Sequence, residues 1–168
     1  MLALRVLATL LIAGAALPVF AQAPGWSYSP LPGEGDRAAM GCADDAPAGE
    51  HACLVVRCED DFSVGFYVTT SRPGGDLGLW RITIDKEERP FDGVATETPY
   101  GARLKGDAFW LRDRLEQGTH AHILSEEGPL PPGSSISLGG SLRNITLALA
   151  HCAPRRPALV EPMADPGV

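Results

Sequence analysis

The sequence predicts an α+β fold: a mainly antiparallel β-sheet, sandwich-like or curled, stapled by disulfides, with two helices packed on one side. Three observations predict it. Residues 53–70 hold two runs of alternating apolar residues separated by an acidic trio, four cysteines follow an export-type leader, and only two later segments carry helical spacing. In the first run Leu54, Val56 and Cys58 alternate with Val55 and Arg57. After Glu59-Asp60-Asp61, residues Phe62, Val64, Phe66 and Val68 share one face, and Ser63, Gly65, Tyr67 and Thr69 the other. A period of two marks strands with one apolar side, and two such runs joined by a short polar link read as a hairpin.

Residues 1–21 have the layout of a signal peptide. Arg5 supplies a positive charge, residues 6–19 are almost wholly apolar, and Val19-Phe20-Ala21 offers short side chains where a signal peptidase reads. Cleavage is expected after Ala21, because a cut after Ala23 would set Pro24 beside the scissile bond. The apolar run is shorter than the roughly 20 residues that span a bilayer, so no membrane insertion is expected once the leader is removed. No cysteine near the cut suggests a lipid anchor.

Residues 22–152 are expected to form a single β-rich domain, large enough to bury a core of its own. The chain has 14 Lys/Arg and 21 Asp/Glu; without Arg5 the count is 13 against 21, a net charge of −8. That balance argues against nucleic acid, whose phosphates need a basic face, and leaves another protein as the expected partner. The even set Cys42, Cys53, Cys58 and Cys152 predicts two disulfides in an oxidising compartment, periplasmic or extracellular. Three pairings are possible. Cys42–Cys53 with Cys58–Cys152 is favoured, because the first closes a short Pro/Gly-containing loop and the second ties the hairpin to the end of the domain. The Cys53/Cys58 spacing is too wide for a short zinc knuckle.

The other elements follow in order. Residues 22–41 are rich in Pro and Gly and read as an extended lead-in whose Trp26 and Tyr28 dock on the sheet, or as partly disordered. Residues 71–76 are a turn by composition. Residues 77–84 form a strand with Trp80, Ile82 and Ile84 on one face, residues 85–90 a charged turn, and residues 91–98 a further strand. Residues 107–118 are ambiguous by pattern, and the capping residues Asp107 and Gly118 decide for a helix with Ala108, Leu111 and Leu115 inward. Residues 120–124 and 135–138 are strands joined by a Gly/Pro loop. Leu142, Ile145, Leu149 and Cys152 then form a helical stripe with Ser141 as its cap. Residues 153–168 carry four prolines and no period, and are expected to be a disordered tail.

No residue pattern predicts catalysis or a cofactor. His120-x-His122 places two imidazoles on one strand face, as a metal site could use, with His51, His151 or Glu126 as conceivable third ligands. Nothing in the spacing demands one. Gly133-Ser134-Ser135 and Gly139-Gly140-Ser141 do not match the turn that activates a serine nucleophile. The acid pairs Asp44-Asp45, Asp60-Asp61 and Glu126-Glu127 read as solvated turns, and Asn144-Ile145-Thr146 is a glycosylation triplet inside a helix. Trp80 and Phe66 fall on core faces. Tyr67 and Trp110 fall outside them, where exposed aromatics would anchor a binding surface, although core or edge packing is the commoner fate.

Several features resemble the invasion-associated locus B family and the small periplasmic proteins encoded with type VI secretion systems. They are the strand Trp80-Arg81-Ile82-Thr83-Ile84-Asp85, the helix ending at Gln117-Gly118, the strand Ile136-Ser137-Leu138, and Gly139-Gly140-Ser141 opening a helix that ends near Cys152. The Gly-Phe pair usual ahead of the last helix in locus B proteins is absent, and the cysteine positions differ. The resemblance implies a non-enzymatic periplasmic or secreted protein of the bacterial envelope with no catalytic residues to transfer. The expected function is that of a protein-interaction module. One alternative is an inhibitor of a basic enzyme such as lysozyme, since Tyr100-Gly101-Ala102-Arg103 resembles the Gly-Ala-Arg loop of small lysozyme inhibitors. The other is a small metal-dependent hydrolase or metal-binding protein built on His120 and His122.

Overall fold

The computed structural model describes residues 25–28, 37–44, 46–130, 134–150 and 152. The leader expected over residues 1–21, the tail over 153–168, and His151 lie outside them. The described residues form a nine-stranded antiparallel sheet, two helices and two disulfides. The strands are β1 (Trp26–Tyr28), β2 (Ala38–Cys42), β3 (Ala52–Cys58), β4 (Val64–Thr70), β5 (Gly78–Ile84), β6 (Glu87–Val94), β7 (Ala102–Gly106), β8 (His120–Ser125) and β9 (Ser135–Ser137). Helix α1 (Ala108–Gln117) separates β7 from β8, and α2 (Ser141–Ala148) follows β9. The spatial order is β1-β2-β3-β4-β7-β6-β5-β8-β9. The sheet curls until its two ends meet, where the Trp26 N–H donates to the Gly139 carbonyl at 3.4 Å.

The hairpin β3–β4 is in the expected register, from Cys58↔Val64 to Ala52↔Thr70. Its turn is a three-residue loop: the Glu59 N–H donates to the Ser63 carbonyl and the Phe62 N–H to the Glu59 carbonyl, both at 2.9 Å. Phe62 therefore belongs to the turn and not to the apolar face of β4; its φ of 64° puts it in the left-handed position that Gly usually fills. Both faces of the hairpin are buried. Leu54, Val56, Phe66 and Val68 join the main core under the helices, while Val55 and Tyr67 join a smaller core with Ala38 and Tyr100 on the other side. Two-sided burial explains why β3 reads as a near-continuous apolar run. Tyr67 is buried, the commoner of the two fates weighed for it, and so anchors no exposed surface.

The lead-in contributes two strands. β1 pairs with β2, and β2 pairs with β3 so that Cys42 stands directly opposite Cys53. Their bridge spans a Cα–Cα distance of 4.0 Å, and Cys58–Cys152 spans 5.5 Å. The favoured pairing is the one observed. Further along, the charged turn is confined to Asp85 and Lys86; β6 begins at Glu87 and ends at Val94, earlier than expected at both ends. Cross-strand pairing with β5 from Ile84↔Glu87 to Gly78↔Gly93 overrides the polar composition of Glu87-Glu88-Arg89. β7 was not expected; its five residues sit between β4 and β6.

Both helices pack on the main core. In α1, Asp107 accepts from the Trp110 N–H at 3.0 Å, and Leu111 and Leu115 are buried, whereas Ala108 is exposed. Gly118 ends this helix in extended conformation, φ −76° and ψ 176°, so it is not there for a left-handed turn. A Cβ at this position would stand 2.6 Å from Ile84 Cγ2 and 2.7 Å from the Arg114 carbonyl, so space excludes any side chain. In α2 the cap is Gly140 in left-handed conformation, and Ser141 is buried without capping. The inward stripe is Ser141, Ile145, Ala148 and Leu149; Leu142 is exposed.

Candidate docking groove

The ladder between β4 and β7 is only two pairs long, Tyr67↔Arg103 and Val68↔Ala102. Beyond Tyr67 the strands diverge, because β7 continues against β6 through Phe91↔Gly106 while β4 stays with β3 through Cys58↔Val64. Hydrogen bonds at both ends of the hairpin, Glu59 N–H to Ser63 O and Ser71 N–H to His51 O, fix which β4 residues bond to β3. Antiparallel alternation gives β3 the odd-numbered residues, so Val64 and Phe66 direct their backbone N–H groups away from it. Among the described residues no strand pairs with Val64–Phe66 on that side.

Helix α1 starts one residue after β7 and lies across this gap. Its inner stripe anchors it through Leu111 and Leu115, which leaves the opposite stripe facing the opening. The result is a groove of about 440 Å³ lined by Val64 and Phe66 from β4 and by Ala108, Phe109, Arg112, Asp113 and Glu116 from α1. Phe109 is 90% exposed, the largest exposure of any described large apolar side chain. Its polar rim is already organised, with Arg112 to Glu116 at 2.9 Å and the Gln117 amide donating to Asp113 at 2.7 Å. An apolar floor with a few placed charges suits an apolar side chain carried by a polar chain.

Where the ladder ends, the other face of the sheet holds a compact charged cluster. The Tyr67 hydroxyl donates to Glu59 Oε1, with Arg57 at 3.7 Å and Arg103 at 3.9 Å from the same carboxylate. Gly65 makes room for it, since a Cβ there would run into the Glu59 carboxylate. Arg57 also lies over the Tyr100 ring, 6.0 Å from its centroid. Burial, reinforced by the Glu59 hydrogen bond and charge, pushes the Tyr67 phenol up to about 12. The cluster ties the hairpin turn to β7 through Glu59.

The other expected sites fall as follows. His120 and His122 project from the same, outer face of β8 and are exposed; His122 Nδ1 is 3.3 Å from Ser134 Oγ. Among the described residues no three His, Cys, Asp or Glu side chains come together as a metal would need. His51 lies on another strand junction, 3.5 Å from Thr69 Oγ1, and Glu126 is held by Arg81 at 2.6 Å. Cys42, Cys53, Cys58 and Cys152 are all bridged, so none offers a thiolate. The Asn144 amide donates to the Trp26 and Gly140 carbonyls, both at 2.9 Å, which makes it a clasp between α2 and β1. Trp110 is half-buried, its ring 6.2 Å from Phe91 and its Nε1 donating to Glu87. Tyr100 and Ala102 are buried and Arg103 is inside β7, so the Gly-Ala-Arg stretch is not an exposed loop.

A second hollow, at the 71–78 turn, is lined by Arg72, Leu77 and Glu127. Its buried Arg72 is held by the turn, Nη2 donating to the Gly75 and Leu77 carbonyls and the guanidinium lying 5.7 Å from the Trp80 ring centroid, while Nε has no hydrogen-bond partner among the described residues. Sequence reasoning missed the groove. The available signal was Phe109, an aromatic on the polar side of a helix whose inward stripe was already complete. No family model matches the chain, and no similar curated protein or solved structure was found.

Proposed function

We propose that this chain is an exported, non-catalytic protein-interaction module of the bacterial envelope, periplasmic or secreted. The observation that carries this reading is the groove at the sheet split, where Phe109 stands almost fully exposed beside the end of β4 that lies beyond its ladder with β7 among the described residues. A large exposed aromatic on a rigid, core-anchored helix is a contact anchor in search of a surface. Two disulfides support residence in an oxidising compartment. The net charge of −7 would favour a basic partner, while Glu88 and Glu126 on the outer face of β5, β6 and β8 are both paired with Arg81. The same class of protein is what the resemblance to the locus B group implies.

Capture from native envelope extract with wild-type protein and with Phe109→Asp tests the reading. It predicts a specific protein retained by the wild type and lost from the variant. Equal capture by both, or turnover of a substrate by the purified protein, would contradict it.

A further inference from the structure

We infer that the resident occupant of the groove is a segment of this same chain, residues 153–160, with Leu159 and Val160 seated against Phe109 and Arg155-Arg156 along the acidic rim. This inference rests on the interaction-module reading and deepens it, by naming what a partner must displace. It starts from where the described residues end. Cys152 is bridged to Cys58 across a Cα–Cα distance of 5.5 Å, and its Sγ lies 3.2 Å from the Ser63 carbonyl oxygen. Cys58 stands directly opposite Val64, and both pack with Cys152 against the main core, on the side of the sheet that α1 covers. Val64 lines the groove. The bridge therefore delivers the chain to the rim of the groove. Eight extended residues reach up to about 26 Å, against about 12 Å for the length of α1 from Ala108 to Glu116.

The composition of the segment suits a seat made by side chains. It reads Ala153-Pro154-Arg155-Arg156-Pro157-Ala158-Leu159-Val160, two basic residues followed by an apolar run. Pro154 and Pro157 fix φ and carry no N–H, which lowers the entropy lost on docking and asks for no ladder partner. That matters because β4 is an interior strand with Phe66 buried, so contact falls on half-buried Val64, on Ala108 and on the exposed Phe109 ring. A short tether holds the Leu-Val pair near that ring at an effective concentration of about millimolar. Charge agrees. Arg112 on the rim is held by Glu116, Asp113 accepts only from the Gln117 amide, and no cation among the described residues pairs with Asp113. Arg103 and Lys105 do not offset this. Arg103 pairs with Tyr67 and reaches Glu59 on the face away from α1, and Lys105, two residues along β7, shares that face.

The test is nuclear Overhauser contact in the full chain after leader removal, residues 22–168, with leucine and valine methyls and phenylalanine rings selectively labelled. The seat predicts cross-peaks from the Phe109 ring to the Leu159 or Val160 methyls, and upfield shifts of those methyls. Phe109→Ala, which removes a ring that is 90% exposed, abolishes the upfield shifts, and Leu142→Ala, an exposed leucine on α2, leaves them. Arg155→Glu with Arg156→Glu lowers the docked population about threefold, as two exposed ion pairs turned repulsive would; an unchanged population would overturn the role given to the rim. Methyls of residues 159 and 160 at unstructured-peptide positions, or shifts that survive Phe109→Ala, would overturn the inference. If envelope capture is lost in Phe109→Asp while no ring contact appears, the interaction reading stands and the resident segment falls. If the contact appears while wild type and Phe109→Asp capture equally, the segment stands and the interaction reading falls.

Discussion

Tyr67 and Arg103 are the last residues that β4 and β7 pair, and both reach the same Glu59 carboxylate. The sheet divides at the point where this ion cluster pins it. On one face Glu59 clamps the two strands together; past it, β4 follows the hairpin and β7 follows β6, and α1 spans the opening. The groove is thus a consequence of strand geometry and not a surface accident.

Tyr67→Phe removes the donor to Glu59 without changing the ring packing. A buried carboxylate deprived of one charge-assisted bond costs about 1–3 kcal/mol, to be measured as a lower urea midpoint at constant slope.

The raised Tyr67 pKa has a definite sign. Below pH 10 both folded and unfolded chains hold the phenolic proton; between pH 10 and about 12 the unfolded chain loses it first. The contribution is therefore complete below pH 10 and lost as pH rises to about 12, an alkaline decline of order 2 kcal/mol. Tyr67→Phe should lack that component, and ultraviolet titration of the wild type should show one phenol ionising near 12.

Phe62→Gly should stabilise the protein. An L-residue in left-handed conformation costs roughly 1–2 kcal/mol, and Gly returns part of that gain as unfolded-chain entropy. A net rise of up to about 1 kcal/mol is expected, with the hairpin register unchanged in its amide cross-peaks.

Gly118 separates two explanations of a helix-terminal glycine. Were the position left-handed, Asn would substitute well; because crowding by Ile84 and the Arg114 carbonyl is the cause, Gly118→Ala and Gly118→Asn should both destabilise. A loss of about 1–3 kcal/mol is expected for forced overpacking, and thermal melts of the two variants decide.

Replacing Cys58 and Cys152 together by Ser should cost about 2–5 kcal/mol. The bridge closes a separation of 94 residues, against 11 for Cys42–Cys53, so the longer closure should be the more damaging to lose. Parallel denaturation of the two double variants gives the order.

Much of the fold was legible because its signals are local. The alternation in residues 53–70 and 77–84 and the Asp107 cap each point to one element, and an even cysteine set points to bridges. What was illegible depends on partners far along the chain. Glu87-Glu88-Arg89 is a strand because β5 lies beside it, Ala102–Gly106 is too short to announce itself, and Tyr67 is buried only because Ala38 and Tyr100 cover a second face. Ser141 fits a cap by residue type, whereas the left-handed Gly140 takes that place. The groove was hidden for the same reason: no single segment encodes a ladder that stops after two pairs.

Amide hydrogen exchange along β4, resolved residue by residue, tests the split sheet most directly. The account predicts that Val64 exchanges faster than Gly65 and Val68 by roughly two orders of magnitude or more, since Val64 lies beyond the end of the β4–β7 ladder while the other two face β3 and β7. Uniform slow exchange from Val64 through Val68 would contradict it, because the edge would then be paired and the groove closed.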